Sequence, residues 1–571
     1  MKSDFQVSGQ NPDALFTLKL HRGDGMVLLA MNWKADTPPD DFVGFGIEYR
    51  EPGGKKFYPV SNFLNFLGPI GQVIKKRTPS MLAPIQMFRW VHFPWRPDLP
   101  GKFLYRVAPV FMNPDDGMSY GETQEAAIEL RRETYPGQLN VAFTRGFVSS
   151  QAFVERYESK GKISTLLPGK SDEGLSFVPT HPLASEALAW MGFEAREAIL
   201  AVLDEAIADK KAQVRVVAYD LSEPQMVSRL EKLGRRLRII IDDSDAHGKP
   251  LSGETKAASR LSKSAGQSNV KRHHMGKLQH NKTIVVSGPK SKAVVCGSTN
   301  FSWRGFFVQA NNAVVLRGSR AVGVFVGAFD DYWENEAPAS FGATASAKWV
   351  DLRLRGIDAR VAFSPHSTKN ALLTKIAEDI RSRTTSSLFY SLAFLSQTRG
   401  PIRDAIKSIT KDDKAFVYGI SDRRVGGLDL QDPNGNIAPV YAAALSKNVP
   451  EPFRSEPKGG SGIRMHHKFV VVDFDKPSAR VYLGSFNFSK DADTKNGENL
   501  LLIRDRRVAV SYVVEALRIF DHYHFRVTQD EKAKAKKPFA LLKPPRKKGE
   551  RAWWARYYSD RHKIRERQLF A

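Results

Sequence analysis

Apolar and polar residues alternate through the first 135 positions of the chain. Phe16-Thr17-Leu18-Lys19-Leu20 and Val43-Gly44-Phe45-Gly46-Ile47-Glu48-Tyr49 both follow this pattern, and the second run ends in Glu51-Pro52-Gly53-Gly54. Period-two alternation closed by such a turn predicts half-buried strands. Phe103 to Val110 predicts another, with Tyr105 placed to anchor a sandwich edge. Short strands of this kind predict a small β-sandwich over 1–135, and the absence of a catalytic constellation assigns it to docking or substrate positioning.

From about 137 strands alternate with longer amphipathic stretches, as in α/β units. Phe193 to Lys211 and Gln225 to Gly234 have helical periodicity, whereas Ala212 to Tyr219 and Leu237 to Ile241 read as strands. A second pass begins near 358. Val141-Ala142-Phe143-Thr144 returns as Val361-Ala362-Phe363-Ser364, Val214 to Tyr219 as Leu388 to Phe394, and Arg238 to Asp242 as Phe416 to Ser421. The pattern predicts duplication of one α/β domain, with domains at 137–345 and 350–527 and a tail at 528–571. The first copy is longer, and its extra residues are expected around Glu158 to Trp190, a stretch rich in Gly, Ser and Pro. Long polar loops precede the same point in each copy, Ser244 to Lys277 and Ser421 to Arg464.

Those loops lead into two nearly identical stretches. His280-Asn281-Lys282 is followed by Ser287 and then Gly297-Ser298-Thr299-Asn300, while His466-His467-Lys468 is followed by Asp473 and then Gly484-Ser485-Phe486-Asn487. Each Lys opens an apolar run, Thr283 to Val286 or Phe469 to Val472, that reads as a buried strand. His-x-Lys spacing on a strand puts imidazole and ammonium on one face. A phosphodiester is shielded by negative oxygens and has a poor leaving group. Its cleavage needs cations and donors around the phosphate, a nucleophile in line and an acid opposite. Imidazole serves as either, and as nucleophile it forms a covalent phosphoryl intermediate. Two histidines, one from each copy, can therefore divide the labour.

On these residues the chain resembles the phospholipase D superfamily, whose signature is H-x-K-x4-D with a trailing G-S-x-N and a later acid. His466, Lys468, Asp473, Gly484, Ser485, Asn487 and Glu498 match throughout; His280, Lys282, Gly297, Ser298 and Asn300 match in the first copy, where Ser287 replaces the Asp and Asn311 stands opposite Glu498. The resemblance implies two pseudo-twofold-related halves forming one shared site without metal or cofactor. It implies His280 as nucleophile, His466 as general acid, and Glu498 orienting a His. Lys282, Lys468, Asn300, Asn487, Ser298 and Ser485 would hold the phosphate, with Asp473 and Asn311 in support. The β-rich start is similar to a fibronectin type III module.

Composition bears on the substrate. The net charge is +25 in 571 residues, and Lys532 to Arg567 holds 14 Lys or Arg against three acids. Such charge favours a polyanionic partner, nucleic acid first and an anionic phospholipid surface second. The Trp553-Trp554-Ala555-Arg556-Tyr557-Tyr558 segment could stack on bases, pack against the body or anchor at a membrane interface. A nuclease is the favoured reading, a phospholipid-cleaving or phospholipid-transferring enzyme the alternative, and a non-catalytic nucleic-acid-binding scaffold the third.

Other features narrow the classes. No apolar run approaches a membrane span, and Met1 to Phe5 opens no secretory signal, so a cytoplasmic location is favoured, with signal-less export left open. Cys296, the single cysteine, lies in an apolar run and reads as a core residue. His273 and His274 have no zinc spacing and read as part of a basic loop, with Lys271 and Arg272 lining the approach to the site. No P-loop, dinucleotide fingerprint or nucleophile elbow is present.

Overall fold

The computed structural model describes residues 4–571 except 75, 131–132, 145–152, 154–155, 193, 394, 396–399, 423–426 and 442–464. The chain forms two compact units, one of residues 1–132 with 510–571 and the other of residues 133–509.

The first unit packs two antiparallel sheets face to face. Gln6–Ser8, Phe16–Arg22, Val27–Trp33 and Arg89–His92 form one, in that order. The other runs Met118–Tyr120, Lys102–Met112, Phe42–Arg50, Phe57–Pro59, with Gln124–Glu129 also paired to Lys102–Met112. Alternating residues such as Phe16, Leu18 and Leu20 meet Phe45, Ile47 and Tyr105 in one core, as two inward sheet faces do. Tyr105 sits on an interior strand, paired on both sides, rather than at an edge; its hydroxyl lies 3.0 Å from His92 Nδ1.

The carboxyl-terminal residues finish this core. Ala552, Trp553, Trp554 and Tyr557 are buried in it, Trp553 Nε1 donates to the Phe42 carbonyl at 3.0 Å and Trp554 Nε1 to that of Pro39 at 3.2 Å. Of the three roles open to the aromatic segment, the structure supports packing against the body: indoles committed to a core are not available to stack on bases. The boundaries differ accordingly from 1–135 and 528–571, because residues from Val510 onward group with the sandwich.

The second unit contains two copies of one α/β design. In the first copy the core strands are β1 (Leu139–Phe143), β2 (Gln213–Ala218), β3 (Leu237–Ile241), β4 (Lys282–Ser287), β5 (Lys292–Gly297) and β6 (Asn312–Arg317). In the second they are β7 (Asp358–Ser364), β8 (Ser387–Leu392), β9 (Phe416–Asp422), β10 (Lys468–Val472), β11 (Arg480–Gly484) and β12 (Glu498–Arg504). The first sheet runs β1-β6-β5-β4-β2-β3 and the second β7-β12-β11-β10-β8-β9, the same order strand for strand. Only β2-β3 and β8-β9 are parallel within these sets. Helices such as Ala195–Ala208 and Pro224–Leu233 bury Leu, Ile and Val against the first sheet, and Leu373–Arg383 and Pro401–Asp412 do so against the second. The longer first copy has its additional residues between β1 and the helix at Ala195, including a helix at Ala184–Gly192; the corresponding link in the second copy runs only from Ser364 to Leu373. Of the two long polar loops, most of Ser421 to Arg464 lies outside the described residues.

Candidate active site

Both His-x-Lys elements sit where β4 and β10 begin, and the two sheets bring them together. The rings of His280 and His466 stand 6.3 Å apart, centre to centre, and both residues are buried. The backbones exchange bonds across the halves: His466 N donates to the Ala310 carbonyl at 3.1 Å and Gly497 N to that of Leu278 at 2.9 Å.

Each histidine is oriented by a residue of the other half. His280 Nδ1 lies 2.8 and 3.0 Å from the carboxylate oxygens of Glu498. His466 Nδ1 lies 2.7 Å from Asn311 Oδ1. The Asn311 amide is held in that sense because its Nδ2 donates to the Gly305 carbonyl at 3.0 Å and its Oδ1 accepts from Ser298 Oγ at 3.1 Å. Both imidazoles therefore carry their proton on Nδ1 when neutral, leaving Nε2 for chemistry. Burial holds His280 below its usual range, with Glu498 opposing. It holds His466 well below, and Lys468, Lys282 and His280 add to the effect.

The glycine-serine pairs set this geometry. Gly297 and Gly484 have φ of +124° and +141°, and a Cβ would come within 2.6 Å of the Asn312 carbonyl oxygen or 2.2 Å of that of Asn499. No other residue allows so close an approach. Ser298 Oγ then accepts from Asn312 N at 3.1 Å, and Ser485 Oγ from Asn499 N at 3.0 Å. Sequence reasoning gave these serines to the phosphate, whereas the structure engages both hydroxyls as latches on the segments that carry Asn311 and Glu498. Asn499 also reaches Asn281 of the first half at 2.7 Å.

The lysines lie beside their histidines. Lys468 Nζ donates to the His466 carbonyl at 2.9 Å, and Lys282 Nζ to that of His280. Burial brings Lys282 down to about 8 against the pull of Glu498 and Asp220. Asn300 and Asn487 each have a buried Oδ1 without a hydrogen-bond partner.

Asp473 stands apart from this chemistry. It accepts from the backbone N–H groups of Thr385, Ser386 and Ser387 at 2.8–3.2 Å, tying the end of β10 to the start of β8. The first half makes the equivalent tie with its carboxylate on the other side. Asp209, just before β2, accepts from Lys290 N and Ser291 N at 2.9 and 3.1 Å in the turn after β4. Ser287 thus replaces a structural carboxylate whose work Asp209 performs.

A half-buried ionic chain also borders the site, missed by sequence reasoning. Asn300 Nδ2 donates to Asp220 at 2.7 Å, Asp220 lies 3.1 Å from His247 Nε2, and His247 Nδ1 lies 2.8 Å from Asp242. Asp242 accepts in turn from Gln279 N at 2.7 Å, next to His280. Burial opposes charge on His247, but the bonds to Asp220 and Asp242 raise it to about 10. Asp220, His247 and Glu254 bring potential ligand atoms within 4.8 Å of one another. An imidazolium bonded at both nitrogens has no lone pair for a cation, so the arrangement fits an ion-paired brace better than a metal centre. The available signal was positional: Asp220 and Asp242 fall just past the carboxyl ends of two parallel strands, where α/β sheets place functional groups.

Lys271 and Arg272, expected to line the approach, are engaged in local pairs. Lys271 pairs with Glu336 at 2.7 Å, and Arg272 donates to the Asp242 and His247 carbonyls at 3.0 and 2.7 Å, bracing the His247 loop. His274 pairs with Asp243 at 2.6 Å. Cys296 is buried, which pushes its thiol far up and makes it inert as a nucleophile.

Comparison with known proteins places this geometry in context. A family model described as cardiolipin synthase, PLD-like domain, matches residues 203–333 and 377–520. A 48-residue stretch is 46% identical to a phospholipase D of Rickettsia prowazekii (strain Madrid E), covering 8% of this chain and 22% of that protein. A phospholipase D of Rickettsia felis (strain ATCC VR-1525 / URRWXCal2) matches at 44% over 48 residues, 8% of this chain and again 22% of the relative. The chain thus spans less than a quarter of the length of these curated relatives. Among solved structures, phosphatidylserine synthase from Haemophilus influenzae Rd KW20 aligns with a TM-score of 0.41 and 12% identity, over 60% of this chain and 91% of that one.

Proposed function

This chain belongs to the phospholipase D superfamily, and on that footing we propose that it is a phosphodiesterase working through a phosphohistidine, with phospholipid-type diesters as substrate. The observation that carries the reading is the pair of buried imidazoles, each oriented by the opposite half, one by a carboxylate and one by a carboxamide.

The difference in orienters divides the roles. His280 Nε2 attacks phosphorus, and the positive charge that develops on its ring faces Glu498. An N–P bond forms as the P–O bond to the leaving alcohol breaks, and His466 delivers a proton from Nε2 to that oxygen. Water then gives a proton to His466 and attacks phosphorus, breaking the N–P bond and releasing a phosphomonoester. An alcohol in place of water gives phosphoryl transfer instead. Lys282, Lys468, Asn300 and Asn487 neutralise and hold the non-bridging oxygens.

The substrate class is supported by the Rickettsia relatives, named for phospholipid cleavage, although the likeness covers a short stretch. The net charge of +25 favours a second reading, a nuclease. Full-length protein in EDTA, incubated with phosphatidylcholine and phosphatidylglycerol vesicles, plasmid and single-stranded DNA, separates them by product. Lipid headgroup release supports the first reading, and DNA cleavage without it supports the second. Turnover by His280→Ala and His466→Ala at the wild-type rate on every substrate would refute the site.

A further inference from the structure

The first unit carries a hairpin that is anchored on a small core cluster by Phe66 and whose tip lies outside it. Strands Ser61–Asn62 and Thr78–Pro79 pair at its base, and the described residues between them fold back on themselves. Asn65 Nδ2 donates to the carbonyls of Ile74 and Lys76 at 3.2 and 2.7 Å, Gly68 N to that of Gln72 at 3.0 Å, and Gly71 N to that of Gly68 at 2.8 Å. This is a built loop: Asn65 is buried and Phe66 packs against Val43, Val110 and Met112, while other apolar side chains face outward. Ile70 at the tip is 90% exposed, Phe63 47%, Val73 40% and Ile74 38%.

Soluble surfaces tolerate single apolar residues, but several on one projecting loop mark an interaction site. The neighbouring chain adds to it. Leu541 N donates to the Asn65 carbonyl at 2.9 Å, and the next residue, Leu542, is 54% exposed. Basic residues flank the apolar ones along the chain: Lys76 and Arg77 on the returning arm, then Lys543, Lys547 and Lys548 after Leu542, all exposed, Lys543 being paired with Asp116 at 2.6 Å. An exposed apolar tip with exposed cations beside it along both chain segments fits a bilayer interface, where the tip enters the headgroup layer and cations meet anionic lipid.

We propose that the 63–77 hairpin, with Leu542 and the basic residues after it, docks the protein on an anionic phospholipid surface. The choice of occupant rests on the phospholipid reading of the active site. No helix among the described residues is long and apolar enough to cross a membrane, so this would be a peripheral attachment.

The test is co-sedimentation of the full chain with vesicles of phosphatidylcholine alone or with roughly 30% phosphatidylglycerol. Wild type should sediment with the anionic vesicles and be released by salt. The double variant Ile70→Asp/Ile74→Asp should lose about tenfold in binding, and Lys76→Glu should weaken binding to anionic vesicles alone. Both should retain wild-type circular dichroism and turnover of bis(p-nitrophenyl) phosphate. Tryptophan at position 70 (Ile70→Trp) should shift its emission to the blue only with vesicles. Wild type left in the supernatant, a double variant that sediments unchanged, or DNA rather than lipid binding lost in that variant overturns the proposal. Anionic binding that needs the hairpin, with bis(p-nitrophenyl) phosphate cleaved but lipid untouched, upholds docking and removes the phospholipid reading.

Discussion

Replacing Glu498 with Gln tests the division of labour directly. The carboxylate holds His280 Nδ1 at 2.8 Å with its second oxygen at 3.0 Å. When His280 carries the phosphoryl group its ring is cationic, and an ion pair at roughly 4 Å is worth about 4 kcal/mol at an effective dielectric near 20. The amide keeps the bond and the tautomer but contributes only about 1 kcal/mol. The difference, about 3 kcal/mol, corresponds to roughly a hundredfold loss in the rate of phosphohistidine formation. The pH dependence has a definite sign. Burial lowers His280 and Glu498 opposes that, so removing the carboxylate lowers His280 further. Because the nucleophile must be deprotonated, the acid limb of kcat/KM should move to lower pH while the plateau falls. Pre-steady-state release of p-nitrophenolate from bis(p-nitrophenyl) phosphate, followed across pH, measures both. A Glu498→Gln burst rate within threefold of wild type, or an acid limb that moves upward, would refute the reasoning.

Three further outcomes are expected. His466→Ala, given a substrate whose leaving group needs no proton, should accumulate an acid-labile phosphohistidine; mass spectrometry of digested protein should place it on His280, and a label found on any other residue reverses the assignment. Asp473→Ala should cost on the order of 3 kcal/mol in urea unfolding, since three backbone donors lose their acceptor, while Ser287→Asp should leave turnover unchanged because Asp209 already makes that tie; a large gain in rate would give the missing carboxylate a catalytic part. Trp553→Ala should destabilise the first unit by about 3–5 kcal/mol, seen as earlier protease cutting within residues 4–130, and a wild-type pattern would remove the tail from that core.

The fold was legible wherever periodicity was strong. The run Thr283 to Val286 emerges as β4 and Phe469 to Val472 as β10, each within a residue or two, because a continuous apolar run between polar loops has few alternatives to a buried strand. The doubled His-x-Lys was legible as two like elements that meet in the fold, His280 and His466 lying 6.3 Å apart, since like groups at like spacings survive duplication. What could not be read was which partner each polar residue takes. Ser298 and Ser485 looked like phosphate donors because hydroxyls suit that work. Their actual partners, the N–H groups of Asn312 and Asn499, are set by how two strands close over a glycine. The Asp220-His247-Asp242 chain was invisible for the same reason: its members are separated by 22 and five residues and meet only after β2 and β3 align.

Ser287 in one copy and Asp473 in the other show that the two halves can make the same structural tie from opposite sides. The tie between the β4–β5 turn and the start of β2 requires one acceptor-rich group, and either side can supply it; Asp209 does so in one half and Asp473 in the other. The orienters are under a different constraint. Each lies on the half opposite its histidine, so a change at 498 acts on His280 and a change at 311 on His466. On the proposed assignment, a carboxylate suits the imidazole that carries positive charge in the intermediate, and a carboxamide suits the one that gives up its proton. Asn311→Asp would erase that difference. It should raise His466 and move the alkaline limb of the rate profile upward, since the acid then keeps its proton to higher pH.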